Sequence, residues 1–313
     1  MSIDSDESCN LLYEGERILY LYSHVGRERG LPEQKGNRNE TCVFRFRRIT
    51  GMLIPAHVRD RSKDDEIILS VIIPAYNEEG IIESTLISVH HFFVEMNFKH
   101  EVIVVNDGSV DKTAEAVSSL MDAMPELVLI SLPENRGKGT AVRDGMLKAR
   151  GIYRLFMDAD NSTSIEEMRH MMPYFDQGYD IIIGSRGEKG ANITSRQPWI
   201  RENMGKVFIY FVKLFTGLPF KDTQAGFKMF TGSSADNVFP LQTIPGWIFD
   251  VELLVIAREL GYEVKEVPIT WMHYPESNVS VIKGTVKALA DLAAIRSRLR
   301  SGKYVRGTPS PEF

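Results

Sequence analysis

From Ile67 onward the chain repeats one unit: a short β-branched run, a polar turn, then a stretch with apolar residues at helical spacing. The runs are Ile67 to Ala75, Glu101 to Asn106, Leu127 to Leu132, Tyr153 to Asp158 and Asp180 to Gly184. Helical stretches fall between them at about 79–96, 112–124, 139–149 and 164–175. Strands this poor in polar residues are covered on both faces, and strictly alternating strands and helices pair in parallel. The expected class is therefore α/β, a doubly wound, mostly parallel sheet with helices on both faces.

Ligands of such sheets bind beyond the carboxyl ends of the strands. The polar clusters fall there: Asn77–Glu79 after the first strand, Asn106–Asp111 after the second, Asn135–Gly139 after the third and Asp158-Ala159-Asp160 after the fourth. Asp158 and Asp160 lie two apart on an extended chain, so their carboxylates point the same way. Such a pair suits a hard cation, Mg²⁺ or Mn²⁺, that keeps open positions for diphosphate oxygens. Ser109 and Asp111 are good helix caps, and one of them is expected to be only that. Asp107 and the segment Pro74–Glu79 are expected to form a pocket for a base and ribose. In Glu134-Asn-Arg-Gly-Lys-Gly139 the glycines permit close backbone approach, while Lys138 and the following helix start favour an anion. The spacing is not that of a P-loop.

Arg186, Arg196, Arg201 and Lys206 follow the fifth strand and precede the apolar stretch VFIYFVKLF. Planar guanidinium groups suit a phosphate, and cations beside apolar aromatics suit a phosphate carried on a lipid. Val281 to Arg300 carries Ile282, Val286, Leu289 and Ala293 on one stripe with Lys and Arg elsewhere, a pattern that fits a bilayer surface or a helix packed on its own domain. Val207 to Phe215 is too short to span a membrane and is interrupted by Lys213.

A net charge of -5 argues against a surface built for nucleic acid. Cys9 and Cys42 have no metal or redox spacing, and the acidic start MSIDSDESCN is not an export signal, so a reducing compartment is expected. Three segments are expected: a polar extension over 1–65 with strands at Arg17 to Tyr22 and Val43 to Ile49, a catalytic domain over 66–275, and a basic amphipathic helix and tail over 276–313.

In order along the chain, SVIIPAYNEE, VVNDGSVDKT, ENRGKGTAVRDG, FMDADNST, GSR and DTQAGFKMF resemble the dolichyl-phosphate sugar transferases of the family 2 glycosyltransferases. Asn-Arg-Gly-Lys-Gly, Asp-Thr-Gln-Ala-Gly-Phe-Lys and Trp247–Leu254 are most similar to the β-glucosyltransferase subgroup. The resemblance implies a GT-A-like nucleotide-binding fold and a sugar moved, with inversion, from a nucleotide sugar, UDP-glucose favoured, to a polyprenyl or dolichyl phosphate. It implies donor contacts from Pro74, Ala75, Tyr76, Glu78, Asp107, Gly137, Lys138, Asp158, Ala159 and Asp160, with Asp158 and Asp160 on Mg²⁺ or Mn²⁺. The acceptor phosphate would meet Arg186, Arg201 and Lys206. Besides Asp158, two carboxylates are candidates for a catalytic role, Asp222 first and Asp250 second; either can instead orient the sugar or hold Lys228 or an arginine. Glu252 reads as a structural partner. The expected place of work is the cytoplasmic side of a membrane, peripherally attached, without the N-terminal anchor usual in the eukaryotic enzymes.

Overall fold

The computed structural model describes residues 9–14, 17–22, 66–96, 98–194, 199–272 and 281–304; side chains of 9–22, 199–204, 206 and 281–285 fall outside that description. In the N-terminal unit, β1 (Cys9–Glu14) pairs antiparallel with β2 (Arg17–Tyr22), Cys9 opposite Tyr22 and Glu14 opposite Arg17. The expected strand at Arg17 to Tyr22 is β2, while the one at Val43 to Ile49 lies outside the described residues.

The larger unit is built on a seven-stranded sheet. Its strands are β3 (Leu69–Ala75), β4 (His100–Asn106), β5 (Leu127–Ser131), β6 (Tyr153–Met157), β7 (Ile181–Ser185), β9 (Phe227–Thr231) and β10 (Val264–Pro268). A two-residue β8 (Asn192–Ile193) pairs separately with β11 (Thr270–Trp271). The order is β10-β7-β9-β6-β3-β4-β5, and every pairing is parallel except those of β9, which runs antiparallel between β6 and β7.

Period-two alternation assigns each strand residue to one of two cores. Val71, Ile73, Val102 and Val104 pack with Leu86, Val89, Phe92 and Phe93 of α1 (Ile82–Val94). Ile72, Ile103 and Val105 pack on the other face with Ala141, Val142 and Met146 of α3 (Lys138–Lys148). The second core also takes in α6 (Gly232–Val238), α7 (Phe249–Glu259) and α8 (Val281–Arg300).

Two helices are shorter than their sequence pattern. The second, α2, is only Thr113–Ser118, where the Ser118 and Ser119 hydroxyls turn back to the carbonyls of Ala114 and Ala116. The fourth, α4, is Met168–Met171 between 3₁₀ segments, because Pro173 cannot continue an α-helix. Strands β9 and β10 have no counterpart in the sequence reading: β9 carries Lys228 at its second position, which breaks the apolar run.

Helix α5 (Trp199–Thr216) buries Val212 and leaves Val207, Tyr210 and Leu214 more than half exposed on one side. On α8 the buried residues are Ala288, Leu292 and Ile295, whereas Val286 is 71 % exposed. The inward stripe of α8 thus differs from the stripe of Ile282, Val286, Leu289 and Ala293, of which Val286 and Ala293 are exposed. Arg296 donates to the Leu214 carbonyl, so this helix is fastened to its own domain.

Candidate active site

The loops after β3 and β4 are sewn together before they offer anything to a ligand. Asn77 takes a left-handed conformation, φ 56°, which asparagine tolerates better than most residues. Its amide donates to Ser109 Oγ at 3.0 Å, and its side-chain oxygen accepts from Val110 N at 3.0 Å. Glu78 N donates to Thr113 Oγ1 at 2.8 Å, the Glu79 carboxylate accepts from Lys112 N, and Asp111 accepts from Thr113 N and Glu79 N. Both cap candidates, Ser109 and Asp111, therefore brace the loop. The Glu78 carboxyl is left within the field of the paired aspartates. Tyr76 is 43 % exposed at the same rim, whereas Pro74 and Ala75 are buried.

Asp107 is 3 % exposed, and its two oxygens accept from the backbone N–H groups of Arg136 and Gly137, each at 2.8 Å. Its observed partners are these amides of the glycine-rich loop, so whatever it does for a nucleotide it also fixes that loop. Gly137 has φ 96°, and a Cβ there would sit 2.5 Å from the Pro245 carbonyl oxygen. Only glycine fits. Gly139 N donates to the same oxygen at 2.8 Å. Held in this way, Lys138 opens α3, pairs with Asp158 and lies 5.0 Å from the centre of the Trp247 ring.

Asp158 lies beyond the end of β6 and bonds through its amide to the Gly226 carbonyl at 3.1 Å. A Cβ on Gly226 would fall 2.0 Å from Asp158 Oδ2. The glycine of Asp-Thr-Gln-Ala-Gly is thus the floor on which the carboxylate rests. Asp160 accepts from Ser162 N at 2.9 Å, and Ala159 between them is buried. Burial, then the neighbouring Asp158, raises the Asp160 carboxyl. Burial, followed by Asp160, Asp158 and Asp111, pushes Glu78 up to about 7 against the pull of Lys138.

The two acid candidates are each occupied. Asp222 is gripped by Arg186 through Nε at 2.6 Å and Nη2 at 2.9 Å, and accepts from the amides of Arg186 and Gln224. Burial raises its carboxyl, but Arg186 outweighs burial and holds it below the usual range. Arg186 also lies 5.4 Å from the centre of the Trp271 ring. Asp250, 3 % exposed, pairs at 2.6 Å with Lys228, which is fully buried and also donates to the Ala225 carbonyl at 2.5 Å. Burial raises Asp250 despite Lys228 and Lys138. Of the roles open to them, Asp222 and Asp250 thus take the pairing ones, with Arg186 and Lys228. Arg201 and Lys206 fall on α5 where side chains are outside the description, and Arg196 lies outside the described residues.

Two contributors escaped the sequence reading: Gly226, and Glu266 of β10, which accepts from Asp222 N at 2.8 Å. The glycine was visible inside a motif, and a glycine flanked by a strand signals close approach. Glu266 gives no such signal, since it belongs to a strand that the pattern hides.

In this cluster Glu78, Asp158, Asp160, Asp222 and Asp250 outnumber Lys138, Arg186 and Lys228. The excess negative charge, carried by hard oxygens, suits a divalent cation. Among the described residues no group of three or more His, Cys, Asp or Glu forms a ready-made metal site. A pair of carboxylates completed by substrate phosphates is the ordinary arrangement for Mg²⁺.

The family model of glycosyl transferase family 2 matches residues 70–237, which spans every loop described above except the one that carries Pro245 and Trp247. The chain belongs to this family. Relatives include the dolichyl-phosphate beta-glucosyltransferases of Dictyostelium discoideum (34 % identical, 79 % of this chain and 80 % of the relative), Drosophila melanogaster (36 %, 75 % and 76 %) and Saccharomyces cerevisiae (30 %, 92 % and 90 %). Among solved structures, mannosyl-3-phosphoglycerate synthase from Rubrobacter xylanophilus aligns with a TM-score of 0.58 at 15 % identity, covering 82 % of each chain. Glucosyl-3-phosphoglycerate synthase from Mycobacterium tuberculosis, in complex with Mn²⁺, uridine-diphosphate-glucose and phosphoglyceric acid, aligns with a TM-score of 0.54 at 18 % identity, over 76 % of this chain and 82 % of that one. The fold is that of the GT-A glycosyltransferases, and this family 2 chain is a glycosyltransferase.

Proposed function

We propose that this family 2 enzyme transfers glucose from UDP-glucose to a dolichyl or related polyprenyl phosphate, with inversion, at the cytoplasmic face of a membrane, which in a eukaryote is the endoplasmic reticulum. One observation carries the reading: a Lys138–Asp158 pair with Asp160 beside it and an Arg186 fork held by Asp222 stand on the same edge of the sheet. A donor diphosphate needs the first group and an anionic acceptor the second.

Asp158 and Asp160 would hold Mg²⁺ or Mn²⁺, which when bound offsets charge on the departing diphosphate. Lys138 supplies a further positive charge to the same oxygens. Pro74, Ala75, Tyr76 and Glu78 line the nucleotide side, while Asp107 keeps Gly137 and Lys138 in place. Arg186, fixed as a planar fork, receives the acceptor phosphate, with Arg201 and Lys206 as further cations on α5. A phosphate monoester has a second pKa near about 6, so the attacking oxygen is already ionised at neutral pH. No strong general base is needed, which agrees with an Asp222 carboxylate committed to Arg186. The acceptor phosphate oxygen attacks the anomeric carbon through an oxocarbenium-like transition state as the bond to the nucleoside diphosphate breaks.

No helix among the described residues is long and apolar enough to cross a membrane. The exposed Val207, Tyr210 and Leu214 follow one another at helical spacing on α5, next to the exposed Lys213, and supply a face that can lie in the headgroup region. The test is a donor panel with purified protein, Mg²⁺ or Mn²⁺, a short polyprenyl phosphate, and UDP-glucose, UDP-GlcNAc or GDP-mannose. Lipid-linked glucose is the expected product. Transfer only from another donor moves the substrate, and nucleotide release without lipid product removes the acceptor.

A further inference from the structure

Glu252 is a carboxylate with no exposed surface, on α7 among Val251, Leu253 and Leu254. An ionised carboxylate in such a place needs several donors. It has them. Oε2 accepts from Thr243 N at 2.8 Å and Ile244 N at 2.6 Å, and Oε1 from Thr243 Oγ1 at 2.5 Å and the Tyr304 hydroxyl at 2.9 Å. The Arg298 guanidinium stands 3.6 Å from Oε1 and also donates to Thr243 Oγ1.

The segment gathered by these bonds is the one that seats the glycine-rich loop. Pro245 O accepts from Gly139 N at 2.8 Å and blocks any side chain at Gly137, while Gln242 Nε2 donates to the Gly139 carbonyl at 2.8 Å. Two residues on, Trp247 faces the Lys138 ammonium. A continuous path of hydrogen bonds thus runs from Tyr304 and Arg298 at the end of α8, through Glu252 and residues 243–245, to the loop that places Lys138 on Asp158.

We propose that Glu252 is a positioning residue: through Thr243–Pro245 it sets the pose of the 134–140 loop and hence of Lys138, and Tyr304 with Arg298 locks it from the C-terminal side. The reading of Lys138 as a diphosphate contact rests on the proposed function; the positioning of the loop does not. Uniform destabilisation is the competing account. Glu101, another buried carboxylate in a hydrogen-bond network but at the opposite end of the sheet, calibrates it.

The experiment compares the full chain with Glu252→Gln, Tyr304→Phe and Glu101→Gln, by amide exchange of the apo protein and by UDP titration with Mn²⁺. The expected result is exchange at 137–140 faster by about tenfold in Glu252→Gln, a smaller increase in Tyr304→Phe and none in Glu101→Gln, with UDP affinity following the same order. Exchange at 137–140 unchanged in Glu252→Gln and Tyr304→Phe, or raised as much in Glu101→Gln, overturns the proposal. If Glu252→Gln fails to fold, Tyr304→Phe alone decides by the same readout. Faster exchange in a protein whose wild type does not bind UDP leaves the positioning intact and removes the donor reading instead.

Discussion

The two ends of the central sheet surround their carboxylates differently. At the amino end, Glu101 accepts from Ser70 Oγ at 2.6 Å, from Arg150 N at 2.7 Å and from the Arg150 guanidinium at 2.8 Å. Burial raises its carboxyl, but these donors outweigh burial and hold it below its ordinary value near 4.5. Nearby, Glu126 receives His90 at 2.7 Å and is likewise held low against burial. At the carboxyl end, Glu78 and Asp160 are raised by burial and then by other carboxylates. The amino end has satisfied its charges; the carboxyl end satisfies Asp222 through Arg186 and Asp250 through Lys228 but leaves Glu78, Asp158 and Asp160 opposing one another. The first arrangement serves stability, and the second stores an affinity for something positive.

The comparison can be broken by substitution. Asp158→Ala should lower transfer by about a thousandfold or more at saturating donor, with a smaller loss of stability than a fully buried pair would show, because Lys138 keeps some exposure and has Asp160 and Asp250 beside it. Wild-type rates in a steady-state assay of that variant would remove the metal and diphosphate assignment. Lys228→Met strips the partner from Asp250 and should cost about 3–5 kcal/mol in urea unfolding, since an unpaired buried charge remains. A change under 1 kcal/mol, on the order of a surface substitution, would mean that Asp250 is protonated and indifferent to Lys228.

Those two substitutions also show what the sequence made legible. The α/β class, five parallel strands and the four polar loops were readable because buried strands are uniformly apolar and loop residues are not. Strand β9 was not, because Lys228 disguises it and only the distant Asp250 explains why a lysine can be buried there. The pairing of Arg186 with Asp222 spans 36 residues and carries no local signal, so the sequence offered both residues and left their relation open. For α8 the sequence left a bilayer-facing stripe and a helix packed on its own domain both open, because an amphipathic helix rich in alanine looks much the same in either setting. Helix propensity cannot choose between them; packing does.

Smaller effects sharpen the contrast. Arg186→Lys keeps the charge but loses the fork, and should raise the KM for polyprenyl phosphate roughly tenfold, about 1.5 kcal/mol, with the donor KM nearly unchanged. A rise confined to the donor would place Arg186 on the wrong substrate. Glu78→Gln should stabilise the metal-free protein by about 1 kcal/mol at pH 8 and hardly at pH 5, the part-exposed site screening the rest. The sign follows from its raised pKa: the folded state binds more protons between the ordinary value near 4.5 and about 7, so wild-type stability falls with rising pH across that window. Glu101→Gln acts oppositely. The depressed pKa of Glu101 contributes stability that is present above about 4.5 and lost as pH falls through the folded value, so the variant loses stability at neutral pH and converges on wild type in acid. Thermal denaturation across pH 3–9 in chelating buffer measures both.

We propose that the opposed charges at the carboxyl end form a donor site completed by a divalent cation. Titration of UDP-glucose into the wild-type protein, with Mn²⁺ and then with a chelator, tests it most directly. The account predicts binding tighter by about tenfold or more with Mn²⁺, and loss of that gain in Asp160→Asn. Equal affinity in the presence of the chelator would contradict it.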